Sequence, residues 1–226
     1  MVKNKLYNRK NKIQLIEQQL KEPFKRKTCS FYRYIKIADP QLMRDHLYKE
    51  WTELNVLGRV YLAKEGINAQ ISIPEPNWDD FFINLDHYSE FSKMDVKCAL
   101  MEDRKSFFKL IVRIKNKIVA DGINDKTFDS SNVGTYLSAI EFNAAMEEPN
   151  SIVVDMRNYY ESEIGHFENA ICPDVDSFKE SLHIVKEQLA IKKDSKILLY
   201  CTGGIRCEKA SAYLKHHNFK EVFQLR

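Results

Sequence analysis

The residues of this chain that are best suited to chemistry surround Cys201. Residues 200–208 read Y-C-T-G-G-I-R-C-E. The apolar run at 196–200 predicts a buried parallel strand, and the apolar spacing from Ala210 to Leu214 predicts a helix. A strand, a glycine turn and a helix in this order put Cys201 at the tip of the strand, facing the amino end of the helix.

This placement predicts an ionised sulfur. Backbone N–H groups at the amino end of a helix bind anions, so we expect the loop to form an anion or persulfide cradle. The predicted cradle residues are Thr202, Gly203, Gly204, Ile205 and Arg206. The helix dipole and the charge of Arg206 favour the thiolate, so the pKa of Cys201 is expected below the ordinary value of about 8.5. A thiolate is a nucleophile, which makes Cys201 the candidate catalytic residue, whereas the alternative is an inert cysteine beside an ordinary turn.

Loop length separates two chemistries. Four residues lie between Cys201 and Arg206. Cysteine phosphatases use a longer loop, which is wide enough for a tetrahedral phosphate. The shorter loop suits a single extra sulfur atom, so the sequence disfavours a phosphatase.

The segment 201–206 resembles the active-site loop of rhodanese domains. An upstream stretch resembles the first rhodanese signature: 153–157 reads V-V-D-M-R, Glu161 follows, and 165–170 reads G-H-F-E-N-A. Phe167 and Asn169 depart from the usual isoleucine and glycine of that signature.

The resemblance extends beyond one domain. Segments 58–72, 119–123, 131–137 and 201–211 are similar to bacterial rhodanese-domain tRNA uridine hydroxylases. This resemblance implies an oxygen-dependent oxidoreductase that forms 5-hydroxyuridine at the tRNA wobble position, with tRNA as partner and O2 as co-substrate. The sequence itself indicates no cofactor and does not identify the electron donor.

Two other functions remain open from the loop alone. A rhodanese-type sulfurtransferase would carry sulfane sulfur as a Cys201 persulfide, and the loop fits that role equally well. A non-catalytic binding module is the third hypothesis, and the intact Cys201 loop argues against it.

The remaining polar residues are interpreted as supports. Asp155 follows a predicted strand and is expected to accept N–H groups from a neighbouring loop, and Arg157 is expected to pair with Glu161. His166 is expected in a turn, with a catalytic base as the minor alternative. Cys207 is expected to pack behind the loop, with a resolving thiol as the minor alternative. The spacing of Cys201 and Cys207 from the histidines near 216 does not match a zinc site, so no metal is predicted.

Composition limits the cellular setting. The chain has 226 residues, 44% of them hydrophobic, with a mean hydropathy of −0.46 and no apolar run of membrane-spanning length. Five irregularly spaced cysteines without an apolar signal segment favour free thiols and a cytoplasmic protein, with no membrane association.

Charge is uneven along the chain. Residues 1–28 contain nine Lys or Arg and two Glu, a formal charge of +7, which leaves −4 for the rest of a chain whose total is +3. A basic arm at 1–29 suits a phosphate-backbone partner, although a solvated terminus explains it about as well.

Element order predicts two domains. Residues 30–118 read as a split β-α-β pattern, typical of a ferredoxin-like (acylphosphatase-like) sandwich. Residues 119–137 are expected to form an ordered linker. In 138–226, strands alternate with helices, which predicts a rhodanese-like parallel α/β domain with ligands at the carboxyl ends of its strands. Relatives continue past the last predicted strand, so we expect this domain to be truncated at its carboxyl end.

Overall fold

The chain divides at Ile118 into two units, each with its own sheet and core. The computed structural model describes residues 6–7, 10–99 and 106–226. Lys3, Lys5 and Arg9 of the predicted basic arm lie outside the described residues, as do residues 100–105 of the predicted 30–118 domain.

The first unit is a sheet covered on one face by two helices, which confirms the predicted acylphosphatase-like sandwich. Its elements are α1 (Lys12–Leu20), β1 (Arg26–Tyr34), α2 (Pro40–Glu53), β2 (Leu57–Ala63), β3 (Gly66–Pro74), a 3-10 turn (Glu75–Asn77), α3 (Trp78–Asp86), β4 (Lys97–Cys98) and β5 (Leu110–Ile114). The strand order is β4-β1-β3-β2-β5, antiparallel except for the β2–β5 pair.

Strand alternation builds the core of this unit. Phe31 of β1 and the apolar residues of β2 and β3 face α2 and α3, where Trp51 and Phe81 are fully buried. The rings of Phe31 and Trp51 meet edge to face at 6.3 Å. Burying these rings removes a large apolar area from water, which holds the helices on the sheet.

Two details of the first unit differ from the prediction. Helix α1 lies inside the predicted arm, and a capping box of Asn11 and Gln14 marks its start. Strand β1 begins before Ser30, and Arg26 is buried there because its guanidinium binds both carboxylate oxygens of Glu22 at 2.7 Å.

The second unit is a four-stranded parallel sheet in the order β6-β9-β8-β7. Its elements are β6 (Thr135–Leu137), α4 (Ala139–Met146), β7 (Ser151–Asp155), α5 (Tyr159–Ser162), α6 (Phe178–Gln188), β8 (Lys196–Tyr200), α7 (Ile205–His216) and β9 (Glu221–Leu225). Helices α6 and α7 pack on one face and α4 on the other. The predicted parallel α/β fold is therefore confirmed.

Register brings the candidate residues to one edge of this sheet. Asp155, the last residue of β7, is the partner of Tyr200, the last residue of β8. Both strands are parallel, so Asp155 and the residue after Tyr200, Cys201, emerge at the same end.

The predicted linker, 119–137, packs against the second unit. The buried Lys209 ammonium lies 3.4 Å from the buried Asp121 carboxylate. The Gly134 N–H donates to the Ser211 hydroxyl at 2.9 Å, and Thr135–Leu137 pairs with β9. This edge strand was not predicted, because its three residues are too short for a periodic signal. Among the described residues, no helix has the length and apolar character needed to cross a membrane.

Helix α2 offers a test of the local physics. The Asp39 carboxylate caps it by accepting from the N–H groups of Gln41 and Leu42 at 2.9 and 3.0 Å. Asp39→Ala should lower the free energy of unfolding by about 1 kcal/mol, whereas Asp39→Asn retains the cap and should leave it nearly unchanged. Denaturant unfolding followed by tryptophan fluorescence measures this, because both tryptophans belong to the first unit. Equal losses in the two variants would contradict the capping role.

Candidate active site

Strand β8 and helix α7 set the position of Cys201. The strand is buried over Ile197–Tyr200, and the chain leaves it directly into Cys201. Gly204 then turns the chain into α7 with a φ of 90°, in the left-handed region that favours glycine. This turn directs the Gly204 N–H to the Cys201 sulfur at 3.2 Å.

Cys201 is a partly exposed residue, and its thiol is strongly acidic. Its pKa falls to about 6, first because the Cys207 thiol donates a hydrogen bond to it. Burial opposes this shift, while the N–H groups of Cys207 and Gly204 and the charge of Arg206 add to it. At neutral pH Cys201 is therefore mostly a thiolate, on a residue that keeps part of its surface exposed.

Cys207 is the thiol partner of this thiolate. It is fully buried in the first turn of α7, in the apolar cluster against which Cys201 packs. Burial raises the pKa of Cys207 well above its ordinary value, and the hydrogen bond to Cys201 and its charge raise it further. Sequence reasoning favoured packing for Cys207 and missed its role as a hydrogen-bond donor to Cys201.

Arg206 holds the loop rather than pointing freely at an anion. Its guanidinium binds both carboxylate oxygens of Glu161 at 2.7 and 3.1 Å. The Thr202 hydroxyl donates to the same carboxylate at 2.7 Å. Partial burial acts to raise the pKa of Glu161, but the hydrogen bonds from Arg206 and Thr202 outweigh it and hold that pKa at about 2. The brace therefore persists at any pH at which Cys201 titrates.

The prediction that Arg157 pairs with Glu161 is wrong. Arg157 binds Asp155 instead, with its Nε 3.0 Å from each carboxylate oxygen and its Nη2 2.6 Å from Oδ2. The short spacing lets Arg157 fold back onto Asp155, while Glu161 lies on α5, facing the loop.

Asp155 binds both Arg157 and the end of β8, the strand that leads into Cys201. Its buried carboxylate accepts from the Tyr200 hydroxyl at 2.7 Å and from the Arg157 N–H at 2.9 Å. Tyr200 immediately precedes Cys201, so Asp155 and Arg157 anchor the end of β8. No contact joins either side chain to the sulfur among the interactions of the described residues.

The other predicted cradle residues have different settings. The Thr202 hydroxyl binds Glu161, and Ile205 begins α7. A Cβ on Gly203 would meet nothing within 4 Å, so the loop is open on that side. Open space beside a partly exposed thiolate leaves room for an approaching substrate.

The remaining candidates do not join the site as reactive groups. His166 contacts the Ser162 carbonyl at 3.0 Å through Nδ1, which fits a turn residue. Burial, with the nearby Asp155 charge, raises the pKa of Cys172, so it is not a second thiolate. Within the described residues, no group of three His, Cys, Asp or Glu side chains is arranged to hold a metal ion.

Comparison with known proteins agrees with both folds. The UPF0176 acylphosphatase-like domain matches residues 26–118, and the rhodanese-like domain matches residues 138–226.

Two curated relatives match nearly the whole chain. A tRNA uridine(34) hydroxylase of Leptospira interrogans is 58% identical over 99% of this chain and 61% of its own length. A tRNA uridine(34) hydroxylase of Escherichia fergusonii is 50% identical over 97% of this chain and 63% of its own length. The chain thus spans about three fifths of the length of these relatives.

The acidity of Cys201 has a direct test. Iodoacetamide reacts with the thiolate, so the alkylation rate of Cys201 should rise with pH around a midpoint of about 6 and level off near neutrality. Mass spectrometry of the Cys201 peptide measures it, and the peptide of exposed Cys98 serves as the internal reference. A rate that keeps rising past about pH 8 would contradict a stabilised thiolate.

The Cys207 hydrogen bond can be removed separately. Cys207→Ala should move the alkylation midpoint of Cys201 up by about 1–2 pH units, because a hydrogen bond to a charged group contributes about 1.5–3 kcal/mol. Cys207→Ser keeps a donor and should shift the midpoint less. An unchanged midpoint in both variants would show that the loop amides and Arg206 suffice.

Proposed function

This chain belongs to the family in which a UPF0176 acylphosphatase-like domain precedes a rhodanese-like domain, and on that premise we propose that it hydroxylates uridine 34 of tRNA. The observation that carries the proposal is the position of Cys201, a partly exposed residue at the end of β8, with the Gly204 N–H 3.2 Å from its sulfur. The names of the relatives support the substrate, and the sulfur supports covalent chemistry on the base.

The chemistry starts with addition of sulfur to the base. The Cys201 thiolate, or its persulfide, attacks C6 of uracil, and the electron pair of the C5–C6 double bond moves toward C5 and the C4 carbonyl. C5 then reacts with an oxygen species derived from O2. Loss of the C5 proton and departure of sulfur from C6 restore the double bond and leave a hydroxyl group on C5.

The balance of this reaction requires O2 and a reductant. One oxygen atom enters the base and the other leaves as water, which consumes two electrons and two protons per uridine. A separate electron donor supplies the electrons. No metal is invoked in this proposal.

The protein residues divide into the nucleophile and its supports. The Cys207 thiol, the Gly204 N–H and the α7 amino end stabilise the sulfur charge before attack and after release. Glu161 braces the loop through Arg206 and Thr202, and Asp155 with Arg157 fixes the end of β8. These supports act through Cys201 and make no chemical step of their own.

A wobble base suits a partly exposed thiolate. It lies in a single-stranded loop, so it is turned into a pocket at little cost in lost pairing. We expect such an enzyme in the cytoplasm, where its tRNA substrate is found.

Replacement of the nucleophile tests the proposal. A strain whose only copy of this enzyme carries Cys201→Ser should lack the 5-hydroxyuridine that the enzyme forms in tRNA, because a serine hydroxyl is not ionised at neutral pH. Mass spectrometry of tRNA nucleosides measures it, against a strain with the unaltered chain and a deletion strain. Retained 5-hydroxyuridine in the Cys201→Ser strain, with none in the deletion strain, would contradict the proposed mechanism.

A sulfurtransferase is the second candidate, favoured by the rhodanese-like match and by a loop that suits one extra sulfur atom. Turnover of thiosulfate and cyanide, measured beside tRNA nucleoside analysis, separates the two. Thiosulfate turnover without any change in tRNA would favour the sulfurtransferase.

A further inference from the structure

The sheet of the first unit has a second face that its helices do not cover. We define the outer face by two rows of residues that are neighbours across the strands. One row is Tyr32, Asn68, Tyr61 and Arg113, and the other is Lys97, Ser30, Gln70, Arg59 and Ile111. All nine residues are at least partly exposed to solvent. The most exposed are Arg59, Gln70, Lys97 and Arg113.

The neighbours of these residues along each strand show why the two faces differ. Val60 of β2 and Val112 of β5 are buried under the helices, while the residues on either side of them point to the outer face. An antiparallel sheet with one solvated face normally places a mixture of acidic and basic residues on it.

The charge of this face is not mixed. Strands β1 to β5 contain six Lys or Arg residues and no Asp or Glu. Three of the cations, Arg59, Lys97 and Arg113, belong to the outer face. Positive side chains without acidic neighbours on the same strands are complementary to a chain of phosphates.

Aromatic rings lie between these cations. Tyr32 and Tyr61 flank Asn68 on adjacent strands, which sets their backbones about 10 Å apart. Tyr34 lies beside Tyr32 with ring centroids 6.1 Å apart, and the Lys115 ammonium is 5.5 Å from the Tyr61 ring centroid. Rings on a sheet surface bind single-stranded nucleotides by stacking on the bases, and amide side chains beside them bind base edges.

We propose that the outer face binds single-stranded nucleotides of the RNA substrate. Bases stack on Tyr32 and Tyr61, and phosphates lie near Arg59, Lys97 and Arg113. A second copy of this chain or another protein is a poorer occupant, since Ile111 is the only aliphatic residue among the nine that define the face. The identity of the ligand as tRNA rests on the proposed function, whereas its single-stranded chemistry rests on the face itself.

Binding of a defined RNA by the full chain tests the proposal. The probe is a fluorescein-labelled anticodon stem–loop RNA with uridine at the wobble position, and anisotropy gives Kd. Tyr32→Ala and Tyr61→Ala should each raise Kd about tenfold, whereas Tyr61→Phe keeps the ring and should stay within about twofold. Unaltered affinity in both alanine variants would overturn the proposal.

A matched charge pair tests the electrostatic part. Arg59→Glu on the outer face should weaken binding and reduce its salt dependence, whereas Lys49→Glu on the exposed side of α2 should change neither. Equal effects from both substitutions would mean that RNA responds only to net charge, which also overturns the proposal.

Crosslinking of the unaltered chain tests the outer face without any substitution, so it does not depend on variants that can fail to fold. With 5-iodouridine in the RNA loop, crosslinked peptides should contain Tyr32 or Tyr61, and crosslinks confined to α2 and α3 would contradict the proposal. The Cys201→Ser chain should bind the same RNA with unaltered affinity. If binding depends on the tyrosines but no hydroxylation occurs, the proposal for the outer face stands and the hydroxylase proposal fails. If the tyrosine variants hydroxylate the RNA with unaltered KM, the hydroxylase proposal stands and the proposal for the outer face fails.

Discussion

A negative charge on one sulfur atom is the constraint around which the second unit is organised. The charge is partly buried, and burial alone would return the proton to Cys201. The Cys207 thiol, two backbone N–H groups and Arg206 together reverse that preference. Since these donors belong to one glycine turn and the first turn of α7, the thiolate exists only while that junction keeps its shape.

The junction keeps its shape through two braces that start on other elements. Glu161 of α5 binds the loop through Arg206 and Thr202, and Asp155 of β7 binds Tyr200 at the end of β8. Each brace satisfies a carboxylate with several donors, which removes the cost of burying it. The space beside Gly203 is open, so a braced loop and room beside it are combined at this junction.

Much of this was predictable from the sequence, because strand, glycine turn and helix follow local rules. Asp39 and Pro40 mark the start of α2, and the apolar run at 196–200 marks β8. The sequence did not reveal that Arg206 rather than Arg157 pairs with Glu161, because that choice depends on the fold of the segment after β7. An apolar residue type does not by itself decide burial, because Met43 of α2 is buried whereas Leu42 beside it is 54% exposed. The outer face required the pairing register, since no short segment contains both Tyr32 and Tyr61.

The buried ion pair of Lys209 and Asp121 joins helix α7 to the first residues of its own unit. Lys209 lies two residues beyond Cys207 on α7, and its ammonium reaches the segment that enters this unit after Ile118. Replacing either residue would leave the other charge buried without this counterion, at a cost of about 3–5 kcal/mol. The helix that carries the sulfur's main donor is therefore anchored, within its own unit, to residues that lie some 80 positions earlier in the chain than Cys201.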